Sequence, residues 1–104
     1  MLIFISQPMQ GKTQEEIKKT YENCFERCKE RYGADIVMIN SYIEDAPADA
    51  FPLWYLGESI KRMSEADAAY FAKGWEQTRG CRIENQCAIE YGLEVVEDYT
   101  EDGK

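Results

Sequence analysis

Apolar residues follow two rhythms along this chain: short unbroken runs, and longer stretches in which they recur every three or four positions. Residues 2–6, Leu-Ile-Phe-Ile-Ser, form an unbroken run closed by Gln7-Pro8, the pattern of a strand covered on both faces. From Thr13 to Tyr32, the positions Ile17, Tyr21, Cys24, Phe25, Cys28 and Tyr32 mark one face of a helix whose other face is charged. Thr13 followed by Glu16 is a capping box that sets its start, and Gly33 supplies its stop. A second run, Asp35 to Asn40, is β-branched in part and predicts another strand. Residues 41–53 hold Pro47, Pro52 and several small or acidic residues, and predict a long irregular loop of the kind used as a lid or subunit contact. Leu56, Ile60 and Met63 mark a second helix over about residues 54–65, and 68–72 a third strand stopped by Lys73-Gly74. After a turn through 75–78, Ile83, Cys87 and Tyr91 mark a third helix ending at Gly92. Leu93 to Glu97 gives a last strand, and from Tyr99 a frayed acidic tail is expected.

Strands alternating with helices imply a parallel sheet with right-handed crossovers and helices on both faces, a three-layer α/β/α architecture of four to five strands. At 104 residues the chain is the size of one domain, read here as residues 1–98 with 99–104 as the tail. In such sheets ligands bind outside the carboxyl ends of the strands. That rule selects three stretches: Ser6 to Thr13, the start of the second helix near Glu58-Ser59, and Gly74 to Glu84.

Charge narrows the ligands. Twenty acids against twelve bases give a net charge of −8, a field that repels phosphate backbones and anionic lipid. Neither nucleic acid nor membrane is therefore an expected partner, and an anionic ligand must be gathered by a local device such as a helix N-terminus. The four cysteines, at 24, 28, 81 and 87, are too few and too dispersed for a disulfide scaffold, which suits a reducing cytoplasm. With no histidine in the chain, Cys24 and Cys28 read as packing residues on a helix face, not as metal ligands. The apolar residues 1–5 are far too few to span a membrane.

Two segments could carry chemistry. Ser6 to Thr13 differs from the phosphate-loop pattern G-x-x-x-x-G-K-S/T only in having Ser6 for the first glycine. Pro8, however, removes an N–H from a loop whose work is to present N–H groups, so a capped strand-to-helix turn is the reading adopted. Trp75 to Glu84 is more informative: Arg79, Arg82, the Thr78 hydroxyl and a helix N-terminus gather there and favour an anion. Glu84 lies about one turn into that helix, beside a stripe of Ile83, Cys87 and Ala88, where the dipole and the arginines should keep it ionised. Such a carboxylate suits a nucleophile or a stabiliser of positive charge. The same position equally suits one that only complements the helix dipole.

The segments Ile3-Phe4-Ile5-Ser6-Gln7-Pro8-Met9-Gln10-Gly11-Lys12, Glu65-Ala66-Asp67-Ala68-Ala69-Tyr70-Phe71, Lys73-Gly74-Trp75-Glu76 and Arg79-Gly80-Cys81-Arg82-Ile83-Glu84, with Ala88 and Tyr91-Gly92-Leu93, carry a resemblance over nearly the whole chain. It is to the nucleoside 2-deoxyribosyltransferase-like superfamily and, within it, to a small domain family of unassigned function found in phage and bacterial genomes. The resemblance implies a flavodoxin-like sheet and a glutamate, here Glu84, that attacks the anomeric carbon of a nucleoside and displaces the base. A second base or water then takes the sugar, and no metal or other cofactor is needed. Those enzymes usually carry a sugar-binding aspartate eight residues before the position of Asp67, which here is Ser59. Six residues before the glutamate, an aspartate in the transferases reads the 5′-hydroxyl, while related nucleotide hydrolases have a hydroxyl residue that favours a 5′-phosphate; here it is Thr78, beside Arg79. Phe4 stands for the tyrosine common in the first strand and Gln7 for the glycine common after it.

The resulting expectation is an N-glycosidic-bond hydrolase or transferase acting on a nucleoside or nucleotide, with a 5′-phosphorylated ligand favoured. Glu84 is the nucleophile, Ser59 and Gln7 lie near the sugar, Thr78 and Arg79 near the phosphate, and Ser6, Met9, Gly74 and Trp75 complete the pocket. The replacement of the aspartate by Ser59 keeps open a non-catalytic module that senses or sequesters a nucleotide. A homo-oligomer is expected from Phe51, Trp54 and Tyr55, an aromatic cluster suited to an interface, and from the resemblance, whose members complete their sites across subunits.

Overall fold

The computed structural model describes residues 1–40 and 46–99. The order is β1 (Leu2–Ser6), α1 (Gln14–Tyr32), β2 (Val37–Asn40), α2 (Pro52–Met63), β3 (Ala68–Phe71), a 3-10 turn (Trp75–Gln77), α3 (Arg79–Glu90) and β4 (Glu94–Glu97). The four strands form one parallel sheet in the order β2-β1-β3-β4, with Ile3 opposite both Met38 and Ala68. This is a three-layer α/β/α arrangement of the flavodoxin-like kind.

Side-chain alternation along the two central strands divides the core. Ile3, Ile5, Ala68 and Tyr70 point to one face and pack on Cys24 and Cys28 of α1. Phe4, Ala69 and Phe71 point to the other, against Met63 of α2 and Cys81 and Ala88 of α3. Both helix cysteines are thus packing residues, and burial pushes their thiols up, Cys24 to about 12 and Cys28 to about 11.

The start of α1 is fixed by the capping box: Thr13 Oγ1 accepts the Glu16 N–H at 3.1 Å, and Glu16 Oε1 accepts the Thr13 N–H at 2.9 Å. Gly33, at φ 92°, ends it in a conformation that disfavours a side chain. The β1 and β3 starts are aligned by Asp67, whose carboxylate accepts the Leu2 N–H while its own N–H bonds the Leu2 carbonyl, both at 2.8 Å. On edge strand β4, Asn85 Nδ2 donates to Glu97 at 2.9 Å. Just beyond it, Tyr70 OH donates to Asp98 at 2.7 Å and Arg27 pairs with the same carboxylate.

The elements differ from the sequence expectation in several places. The second strand begins at Val37, not Asp35. The second helix begins at Pro52, two residues early, because proline at the first helical position loses no hydrogen bond and brings the right φ. The third helix turns a different face inward: Cys81, Glu84, Asn85 and Ala88 are buried, whereas Ile83 and Tyr91 are 38% and 87% exposed. Part of the expected loop, residues 41–45, and of the expected tail, residues 100–104, lies outside the described residues. Among the described residues no helix is long and apolar enough to cross a membrane.

Candidate functional site

In a parallel sheet every crossover returns its helix N-terminus to the carboxyl edge of the strands. Ser6, the last residue of β1, shares its parity with Phe4 and so faces α2 and α3. Glu84 meets it from α3, on the same inward face as Cys81 and Ala88. The Ser6 hydroxyl donates to Glu84 Oε1 at 2.6 Å, and the Ser59 hydroxyl of α2 adds a second hydrogen bond. Three elements distant in sequence therefore converge on one carboxyl group that is only 6% exposed.

A cleft of about 970 Å³ opens over this carboxyl. Gln7, Met9, Ser59, Thr78, Arg79 and Glu84, all expected at the site, lie in its wall, and Ser6 stands behind Glu84. Gly74 and Trp75 are not in the wall. Gly74 opens the 3-10 turn at φ 85°, close enough to Pro8 that an added Cβ would sit 3.7 Å from its ring. Trp75 is buried against Phe71, centroids 5.6 Å apart, and supports the turn from beneath. Residues 50–53 and Leu56 also line the cleft. The sequence reading gave 41–53 as a loop suited to a lid or subunit contact and did not number these residues among the site, and the signal for the helix start was Pro52.

Burial acts on Glu84 against the helix dipole that the sequence places beside it. Burial raises its pKa above the usual carboxylate value, and the hydrogen bonds from Ser6 and Ser59 only partly oppose this. Of the arginines expected beside it, Arg82 donates to the Glu76 carbonyl at 2.9 Å, and Arg79 is exposed in the wall of the same cleft. A carboxyl group kept from water responds strongly to any positive charge that develops beside it. Cys81, next to it, is no competing nucleophile, since burial pushes its thiol up to about 11.

Gln7 is also unusual. It is 4% exposed, and neither Nε2 nor Oε1 has a hydrogen-bond partner among the described residues. An unsatisfied buried polar group costs about 1–3 kcal/mol, and Gln7 carries two. The segment that imitates a phosphate loop is an ordinary turn, closed by the Lys12 N–H on the Met9 carbonyl at 3.0 Å and capped by Thr13. Among the described residues no three His, Cys, Asp or Glu side chains are grouped to hold a metal ion.

The cleft thus lies at the carboxyl edge of a parallel sheet with helices on both faces, with the buried Glu84 carboxyl in its wall, in an α/β protein of the open-sheet class. The family model described as Domain of unknown function (DUF4406) matches residues 1–97, and the chain belongs to that family. Comparison with curated proteins and with solved structures gives no match.

Proposed function

We propose that the cleft cleaves the N-glycosidic bond of a nucleoside or nucleotide, with Glu84 as nucleophile and water or a second base as acceptor. The observation that carries this reading is the buried Glu84 carboxyl in the wall of a ligand-sized cleft, held by the Ser6 and Ser59 hydroxyls. Ionised Glu84 attacks the anomeric carbon, and the electron pair of the breaking C–N bond leaves with the base, which takes a proton from solvent. The glycosyl ester then reacts at the same carbon with water. Water loses a proton, the ester C–O bond breaks and the carboxylate is restored. Positive charge on the sugar in both transition states is stabilised by a carboxylate in low-dielectric surroundings. The resemblance to nucleoside 2-deoxyribosyltransferase-like enzymes, whose glutamate matches Glu84, points the same way.

Thr78 and Arg79 at the N-terminal turn of α3 support a 5′-phosphate as the ligand's anionic end, because exposed backbone N–H groups and a guanidinium both favour one. Phe51 and Leu53, each 76% exposed at the cleft rim, support self-association, which light scattering tests.

A second reading, a nucleotide-binding module without turnover, is favoured by Ser59, which stands where the resembled enzymes usually carry a sugar-binding aspartate. Incubation with a panel of nucleosides and their 5′-monophosphates, followed by chromatography of free bases, separates the two. Catalysis gives base release that Glu84→Ala abolishes with the fold intact. A thermal shift without any free base supports the binding module and defeats the glycosidase.

A further inference from the structure

Ser6 and Gln7 are consecutive, yet their circumstances are opposite. The Ser6 hydroxyl is committed to Glu84, whereas Gln7 lines the cleft with its carboxamide buried just behind the surface, donor and acceptor both unmatched among the described residues. A leucine or methionine would fill the same volume without leaving polar atoms unpaired, so packing does not account for the residue. We infer that Gln7 reads the heterocyclic base of the ligand, pairing its carboxamide with a lactam or amidine edge that presents one donor and one acceptor side by side. The inference rests on the proposed binding of a nucleoside or nucleotide in this cleft, and it deepens that reading by placing a specificity determinant at the base.

The chemistry of the cleft divides the ligand accordingly. Sugar hydroxyls can meet Glu84 and Ser59, which line the cleft and offer a carboxyl and a hydroxyl. Sugar hydroxyls are rotatable and each is satisfied by a single partner atom. A planar carboxamide, by contrast, is satisfied at both atoms at once by a rigid planar edge, the pairing through which glutamine and asparagine recognise adenine. Met9 and Leu56 offer apolar wall for the faces of such a ring.

The test measures binding of free adenine, cytosine, uracil and hypoxanthine, and separately of ribose 5-phosphate, to the full chain and to Gln7→Leu by calorimetry. At least one free base is expected to bind, and Gln7→Leu is expected to weaken it tenfold or more while ribose 5-phosphate binding stays within twofold. Methylation of the base's donor nitrogen is expected to reproduce the loss on the unsubstituted protein. Gln7→Leu should also melt at a higher temperature than the parent, since two unpaired polar atoms are removed; a folded, stabilised variant excludes misfolding as the cause of lost binding. Gln7→Glu, which keeps the shape but loses the donor, should likewise lose the base. Equal affinity of all variants for the bases, absence of any base binding, or a loss confined to ribose 5-phosphate would overturn the inference. Base binding that depends on Gln7 without turnover leaves the inference standing and removes the glycosidase; turnover indifferent to Gln7 does the reverse.

Discussion

Replacing Glu84 by glutamine should stabilise this protein at neutral pH and leave its stability unchanged in acid. The carboxyl is 6% exposed, and its pKa is raised by burial above the ordinary 4.5. The folded chain therefore holds this proton more tightly than the unfolded chain does. Stability associated with Glu84 is fully present below pH 4.5 and is lost as pH rises through the folded-state value. An ionised carboxylate has about four acceptor positions, of which the Ser6 and Ser59 hydroxyls fill two. Leaving buried acceptors unfilled costs about 1–3 kcal/mol. Glutamine has the same shape without the charge, so this cost falls away, and each kcal/mol recovered raises the melting temperature of a domain this size by about 4–8 °C. Circular-dichroism melts of the parent and Glu84→Gln across a pH series give the difference directly, and because both chains share every other titrating group, that difference isolates residue 84. Curves that coincide in acid and separate as pH rises, with glutamine the more stable, are the expected result. A glutamine variant that is less stable at neutral pH, or a gap that ignores pH, would refute the reasoning.

Two further outcomes follow from single hydrogen bonds. Ser6→Ala removes the 2.6 Å donor to Glu84, which raises the carboxyl pKa further, so the acid limb of the pH profile for base release should move to higher pH; an unmoved limb would show that the hydroxyl does not tune the nucleophile. Thr13→Ala removes one half of the capping box of α1 at a cost of about 1 kcal/mol. It should lower the melting temperature without changing ligand binding, and a change in binding would mean that α1 reports to the cleft.

Much of the architecture was legible because its local signals agree with the final packing. The unbroken runs at 2–6 and 68–72 are the two central strands, and Thr13, Glu16 and Gly33 bound α1 where their chemistry says they should. The inward face of α3 was not legible. It carries Glu84 and Asn85 among Cys81 and Ala88, and of the apolar positions Ile83, Cys87 and Tyr91 only Cys87 packs on the core while the other two are exposed. A helix that contributes polar groups to a site breaks the pattern by which helices are read. The burial of Glu84 was not legible for a related reason: sequence places Arg79 and Arg82 near it, but only the fold turns Arg82 to a backbone carbonyl and withdraws the carboxyl from water. The solitude of the Gln7 carboxamide depends on which groups surround it in space, and no spacing of residues announces it.

Covalent capture at Glu84 probes the proposed chemistry most directly. A nucleoside 5′-monophosphate carrying fluorine at the sugar 2′ position destabilises the cationic transition states, and slows breakdown of a glycosyl ester enough for it to accumulate. After acid quenching and proteolysis, mass spectrometry should find the peptide containing Glu84 heavier by the fluorinated sugar phosphate, with the base released in equal amount. An unlabelled peptide from a protein that nevertheless releases base from the parent nucleotide would contradict the nucleophilic role of Glu84.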